Sequence, residues 1–114
     1  MSDEEVHGNQ ESEYPAPPAT FEFLTLSMKT QTEMCLGLLH FGEEQDRPKP
    51  DLRAARHLID VLAMLREKTK GNLSMEEQRL IENAITELRF RYVQVMEQQS
   101  KSQAGAEKTE AGTA

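Results

Sequence analysis

Large apolar residues recur every three or four positions between residues 21 and 96, the spacing that gathers side chains onto one face of an α-helix. Three segments carry this pattern. The first runs from Phe21 to about Leu39, with Thr20 placed to cap its amino end. On a helical projection Phe21, Leu24, Met28, Cys35, Leu38 and Leu39 share one arc, the expected core face. A second arc holds Phe23, Ser27, Thr30, Met34 and Gly37, and only Glu22, Lys29 and Glu33 form a polar strip. A helix with two apolar arcs is expected to touch neighbours on two sides.

A connector, "HFGEEQDRPKP" at 40–50, separates this segment from the next, and Gly42, Pro48 and Pro50 break any regular pattern in it. Asp51 then reads as a cap, and the second segment runs to about Thr69. Its stripe is Leu52, Ala55, Leu58, Ile59, Leu62 and Leu65, widened by Ala54 and Val61. Arg53, Arg56, Asp60 and Glu67 fill the other face, with Arg56 and Asp60 spaced for an i,i+4 ion pair. The third segment, Met75 to about Gln98, has a stripe from Leu80 through Met96. Phe90 and Val93 fall off that stripe, among polar neighbours.

The stretch "KTKGNLSMEEQ" at 68–78 joins the second and third segments and invites two readings. Lysines beside a glycine could grip a phosphate. Each residue also has a turn-building reason. Gly71 falls where a left-handed conformation ends a helix. Lys68 and Lys70 suit the negative end of the helix dipole. Ser74 and Glu77 have the spacing of a capping box, and Asn72 and Leu73 fill the bend between. A phosphate loop needs a preceding strand and a spacing such as GxxxxGK[ST] or GxGxxG, which this stretch lacks. The turn reading is therefore preferred, with Lys68, Gly71 and Asn72 kept as the place where a small anion or nucleotide would be held if one is.

So short a bend forces the second and third helices into an antiparallel hairpin, across which the longer connector lets the first helix pack. The expectation is an all-α, three-helix domain over residues 20–99. Residues 1–19 and 100–114 lack apolar periodicity and are predicted to be disordered tails.

Charge sharpens this division. The formal net charge is −7 over 114 residues, and residues 1–20 contribute five acids with no Lys or Arg. The central part, 21–96, has twelve acids and eleven bases. A nearly neutral domain with an acidic tail argues against nucleic acid, whose binding needs a basic face, and against polybasic docking to a membrane. No run approaches the roughly 18 apolar residues of a membrane span. The N-terminus has no signal-peptide pattern, and the single cysteine, Cys35, cannot form an internal disulfide. A cytoplasmic protein is expected.

The run "DLRAARHLIDVLAMLREKTKGNLSMEEQRLIENAITELRFRYV", with "FEFLTLSM…CLGLL" upstream, resembles the bacterial domain-of-unknown-function family DUF 1844. The pattern DLxxARxxIDxLxxLxEKTKGNL, from Asp51 to Leu73, carries the likeness, which extends over about residues 21–93. Met28 stands where the family pattern has leucine, a volume-conserving exchange. The resemblance implies a small helical cytosolic protein and no activity.

The candidate chemistry is thin. His40, Glu43, Glu44 and Asp46 lack metal-ligand spacing, and His57 fits a solvated edge. Asp60 has no nucleophile or orienting partner, and Cys35 has no nearby cationic cluster. No catalytic residue, cofactor or metal is therefore assigned, and an enzyme is not expected. The informative feature is surplus apolar surface. Phe23, Ser27, Thr30, Met34 and Gly37, with Phe90 and Val93, exceed what three helices can cover, which points to a homodimer or higher homo-oligomer. The alternative is an adaptor docking one protein partner through the same surface.

Overall fold

A computed structural model describes residues 15–40, 42–43 and 47–113, with side chains through Ser102. Its elements are α1 (Phe21–Cys35), α2 (Leu52–Lys68) and α3 (Met75–Thr113), with no strand among the described residues. The expected tail at 1–19 lies outside the described residues up to position 14; residues 15–20 are irregular and exposed.

Each helix begins at a local cap. Thr20 Oγ1 accepts from Phe23 N at 3.0 Å, and Asp51 Oδ1 accepts from Ala54 N at 3.1 Å. Ser74 N donates to Glu77 Oε1 at 2.8 Å while Glu77 N donates to Ser74 Oγ at 3.1 Å, a complete capping box. These bonds satisfy amide donors that a helix start leaves unpaired.

The helix ends depart from the periodicity. The first helix was expected to reach about Leu39 and stops at Cys35. Gly37 takes a left-handed φ of 78°, and the amides of Gly37 and Leu38 donate to the carbonyls of Met34 and Glu33 at 3.0 and 2.9 Å. That pair of bonds is a Schellman motif, which ends a helix whatever the apolar pattern does next. The third helix continues past the expected Gln98 to Thr113, although the apolar repeat stops at Met96. The added turns carry no large apolar residue and so extend no core face.

The core lies between α2 and α3, where Ile59 and Leu62 meet Ile81, Ile85 and Leu88, with Phe21 and Met28 of α1 packed against them. Leu36, Ala55 and Val95 form a second cluster with Cys35, Leu52 and Tyr92 at its margin. Phe21 thus meets the Ile81–Leu88 part of α3 and Leu36 meets Val95, so α1 runs alongside α3 in the same direction and opposite to α2. Asp51 N donates to Cys35 O at 2.7 Å and pins the start of α2 to the end of α1. Lys29 bridges α1 to α3, 3.3 Å from Glu33 and 3.4 Å from Glu87. The expected Arg56–Asp60 ion pair does not form among the described residues; both side chains are exposed at the α2–α3 groove.

The inward face of α1 differs most from expectation. Leu24, Leu38 and Leu39 are exposed, and the buried positions are Thr25 and Thr32, with Leu36 just beyond the helix. Threonine can take these places because its hydroxyl is satisfied locally. Thr25 Oγ1 donates to Phe21 O at 2.9 Å and Thr32 Oγ1 to Met28 O at 2.7 Å. With the hydroxyl turned back onto its own helix, each threonine packs through its methyl group, and its small size lets α1 lie close to its neighbours.

Candidate interaction surface

Threonine inside leaves the bulky groups of α1 outside. Its exposed positions are Phe23, Leu24, Leu26, Thr30, Gln31 and Met34, and none is charged. Its three charged residues, Glu22, Lys29 and Glu33, are all half-buried at one flank. A helix on the surface of a soluble protein ordinarily shows the reverse arrangement, with charge facing water. Phe23 is 40% exposed, Leu26 45% and Met34 46%. Open depressions border this face, one of about 510 Å³ between Pro18, Phe21, Leu24 and Ser27 and one of about 350 Å³ between Phe23, Leu26 and Thr30.

Two seams therefore run along one helix. Phe21, Thr25, Met28, Thr32 and Cys35 recur at alternating four- and three-residue steps and face the bundle. Phe23, Ser27, Thr30 and Met34 repeat the same steps on the other side. Gly37 continues this second seam in sequence but not in space. It caps the helix, and its α-carbon faces the Pro50 ring, where an added Cβ would come within 3.4 Å. Leu24 and Leu26 belong to the outward face and were missed. Leu24 was placed on the core arc, and the absence of any charge at the outward positions was the signal that could have found both.

Phe90 and Val93 lie elsewhere. Phe90 is 62% exposed on the side of α3 away from the core, and Val93 borders a groove of about 350 Å³ with Arg56, Asp60, Arg89 and Tyr92. Val93 therefore faces α2 rather than the outward face of α1.

The 68–74 bend is occupied by its own chain. Gly71 adopts a φ of 85°, and Leu73 packs onto the core. The amides of Lys70 and Asn72 donate to the carbonyls of Glu67 and Thr69 at 3.3 and 2.8 Å. Lys70 Nζ lies 3.5 Å from Glu67 Oε1, and Lys68 is exposed. Amides already committed to the turn are not free to cradle a phosphate. Of the metal candidates, Glu44 and Asp46 lie outside the described residues, and His40 Nε2 is 2.8 Å from the backbone oxygen of Glu43. No cluster of three His, Cys, Asp or Glu side chains occurs among the described residues. Cys35 is half-buried, and desolvation, then the Asp51 carboxylate, pushes its thiol pKa up and keeps it protonated.

The molecule is thus an all-α protein of three helices whose most distinctive surface is the uncharged outer face of α1. The sequence matches the family described as "Domain of unknown function (DUF1844)" over residues 18–94, so the chain belongs to that family. No curated protein and no solved structure matches it. None of the helices, over the described residues, is long and apolar enough to cross a membrane.

Proposed function

We propose that this protein is a non-catalytic, self-associating structural or interaction module of the cytoplasm, and that its occupant at the outer face of α1 is a second copy of the same chain. One observation carries the reading: every exposed position of α1 is uncharged, and four of them are Phe, Leu or Met. An exposed apolar patch of this kind is covered in use. A second copy brings the same uncharged strip, so neither partner buries an unpaired charge, which would be costly.

The size of the strip sets the strength. A helix of 15 residues is about 22 Å long. Pairing two of them buries an area near or below the ~1,200 Å² low end of standard interfaces. The expected dimer is therefore weak and concentration-dependent, in the micromolar range. Light scattering after gel filtration should show the mass rising toward twice the monomer value as concentration increases. A clean monomer throughout refutes the proposal.

Phe90 supports a second reading, an adaptor that docks one protein partner. It is the most exposed aromatic side chain among the described residues and belongs to α3 rather than α1. Phe90→Glu should then abolish capture of a stoichiometric heterologous partner while leaving self-association and helicity intact. Under self-association alone, that variant behaves as wild type.

A further inference from the structure

We infer that the acidic N-terminal segment restrains pairing of the α1 faces by like-charge repulsion, so that the dimer tightens as salt rises. This inference rests on the self-association reading and adds its regulation.

The point of attachment is the first support. Thr20 caps α1, and Pro18, Ala19 and Thr20 share the depression of about 510 Å³ with Phe23, Leu24 and Ser27. The chain therefore enters the helix at the edge of its outer face. A copy that pairs through this face brings its own segment to the edge of the contact, whichever way the two helices run.

The placement of charge is the second. Asp3, Glu4, Glu5, Glu11 and Glu13 precede α1, and residues 1–20 contain no Lys or Arg. A fully extended chain spans at most about 3.6 Å per residue, which holds Glu13 within about 25 Å of the Thr20 cap and Asp3 within about 60 Å. These distances are comparable with the contact itself, since α1 is about 22 Å long.

The face offers nothing to offset the repulsion. The exposed positions of α1 are uncharged, so pairing through them forms no ion pair. On its flank Glu22 and Glu33 outnumber Lys29, which already bridges to Glu33 and Glu87. Association driven by ion pairs weakens as salt rises, and this contact should do the opposite. The screening length is about 30 Å at about 0.01 M salt and about 4 Å at about 0.5 M. Five charges facing five across about 30 Å are worth roughly five- to tenfold in the dimer constant at the lower salt and almost nothing at the higher.

Sedimentation velocity over a concentration series, at those two salt concentrations and at pH 8 where histidine is uncharged, tests this with three full-length chains. The wild type should associate at least about threefold more tightly at high salt. The tail variant carries D3N, E4Q, E5Q, E11Q and E13Q. It should associate at low salt as tightly as the wild type does at high salt, within about twofold. The control carries D60N, E67Q, E76Q, E82Q and E97Q, which remove the same charge from exposed positions of α2 and α3. It should keep the wild-type response to salt. Adding Met34→Glu to the tail variant should abolish its association.

A wild type that associates equally at both salts, or a tail variant no tighter than it, overturns the inference and leaves self-association standing. A wild type that weakens with salt also overturns it, because the segments then meet bases of the other copy. A control that gains as much as the tail variant assigns the effect to net charge and overturns it as well. A tail variant that still associates with Met34→Glu does the same, since its gain then arises on another surface. If no chain associates at either salt, the self-association reading itself fails, and the inference with it.

Discussion

The two faces of α1 invert what their composition leads one to expect. The inner face uses Thr25 and Thr32, fully buried, and the outer face uses Phe23, Leu24, Leu26 and Met34, substantially exposed. The inner face tolerates threonine because the hydroxyls return to the helix's own carbonyls, leaving methyl groups to pack. The outer face has no such explanation within one chain. Its apolar groups support no part of the monomer's core, and this is why we propose that they meet a second copy of the chain. Burial on a helix is set by the space beside it and by local hydrogen bonding, and residue polarity is only a guide to both.

The largest effect that can sharpen this contrast is expected in the core. Leu62→Ala removes a fully buried side chain and should cost about 2–5 kcal/mol in urea unfolding. The same exchange on the outer face, Leu26→Ala, should stay within about 0.5 kcal/mol at concentrations low enough to keep the chain monomeric. A comparable loss at both positions would erase the distinction between the faces. Thr32→Leu tests the close approach of α1 from the other direction. Its extra bulk should overpack the inner face and cost about 1–3 kcal/mol. A gain in stability would show that the threonines leave space rather than fill it.

Smaller effects check the frame that holds α1 and the hairpin. Ser74→Ala removes half of the capping box and should cost about 1 kcal/mol. Lys29→Ala breaks the bridge to Glu33 and Glu87, and because all three groups keep contact with solvent, the loss should be at most about 1 kcal/mol. Iodoacetamide should label Cys35 more slowly in the folded chain than in urea near the ordinary thiol pKa of about 8.5. Equal rates would mean that burial does not hold the thiol protonated.

Local signals were the most legible in the sequence. Thr20, Asp51, Ser74 and Glu77 announce their helix starts because a cap depends on residues within one turn. The three-helix architecture and the Ile59–Leu62 and Ile81–Leu88 core followed from strong single-stripe periodicity. Periodicity was partly right on α1: Phe21, Met28 and Cys35 of the expected core arc do face the bundle, whereas Leu24, Leu38 and Leu39 are exposed, and scoring threonine as polar left out the buried Thr25 and Thr32. The helix end at Cys35 was hidden for a related reason. Leu36, Leu38 and Leu39 prolong the apolar pattern, while Gly37 with Pro50 beside it decides the backbone. Phe90 and Val93 were legible as off-stripe residues, but the groove that Val93 borders beside α2 depends on how the helices pack.

Sedimentation velocity of the wild-type chain and of Met34→Glu, from low to high micromolar concentration, tests the role of the outer face most directly. The wild type should move from the monomer mass of 13.0 kDa toward twice that value, and Met34→Glu should remain monomeric with its helical circular dichroism unchanged. A wild type that stays monomeric, or a Met34→Glu variant that associates as well as the wild type, would contradict it.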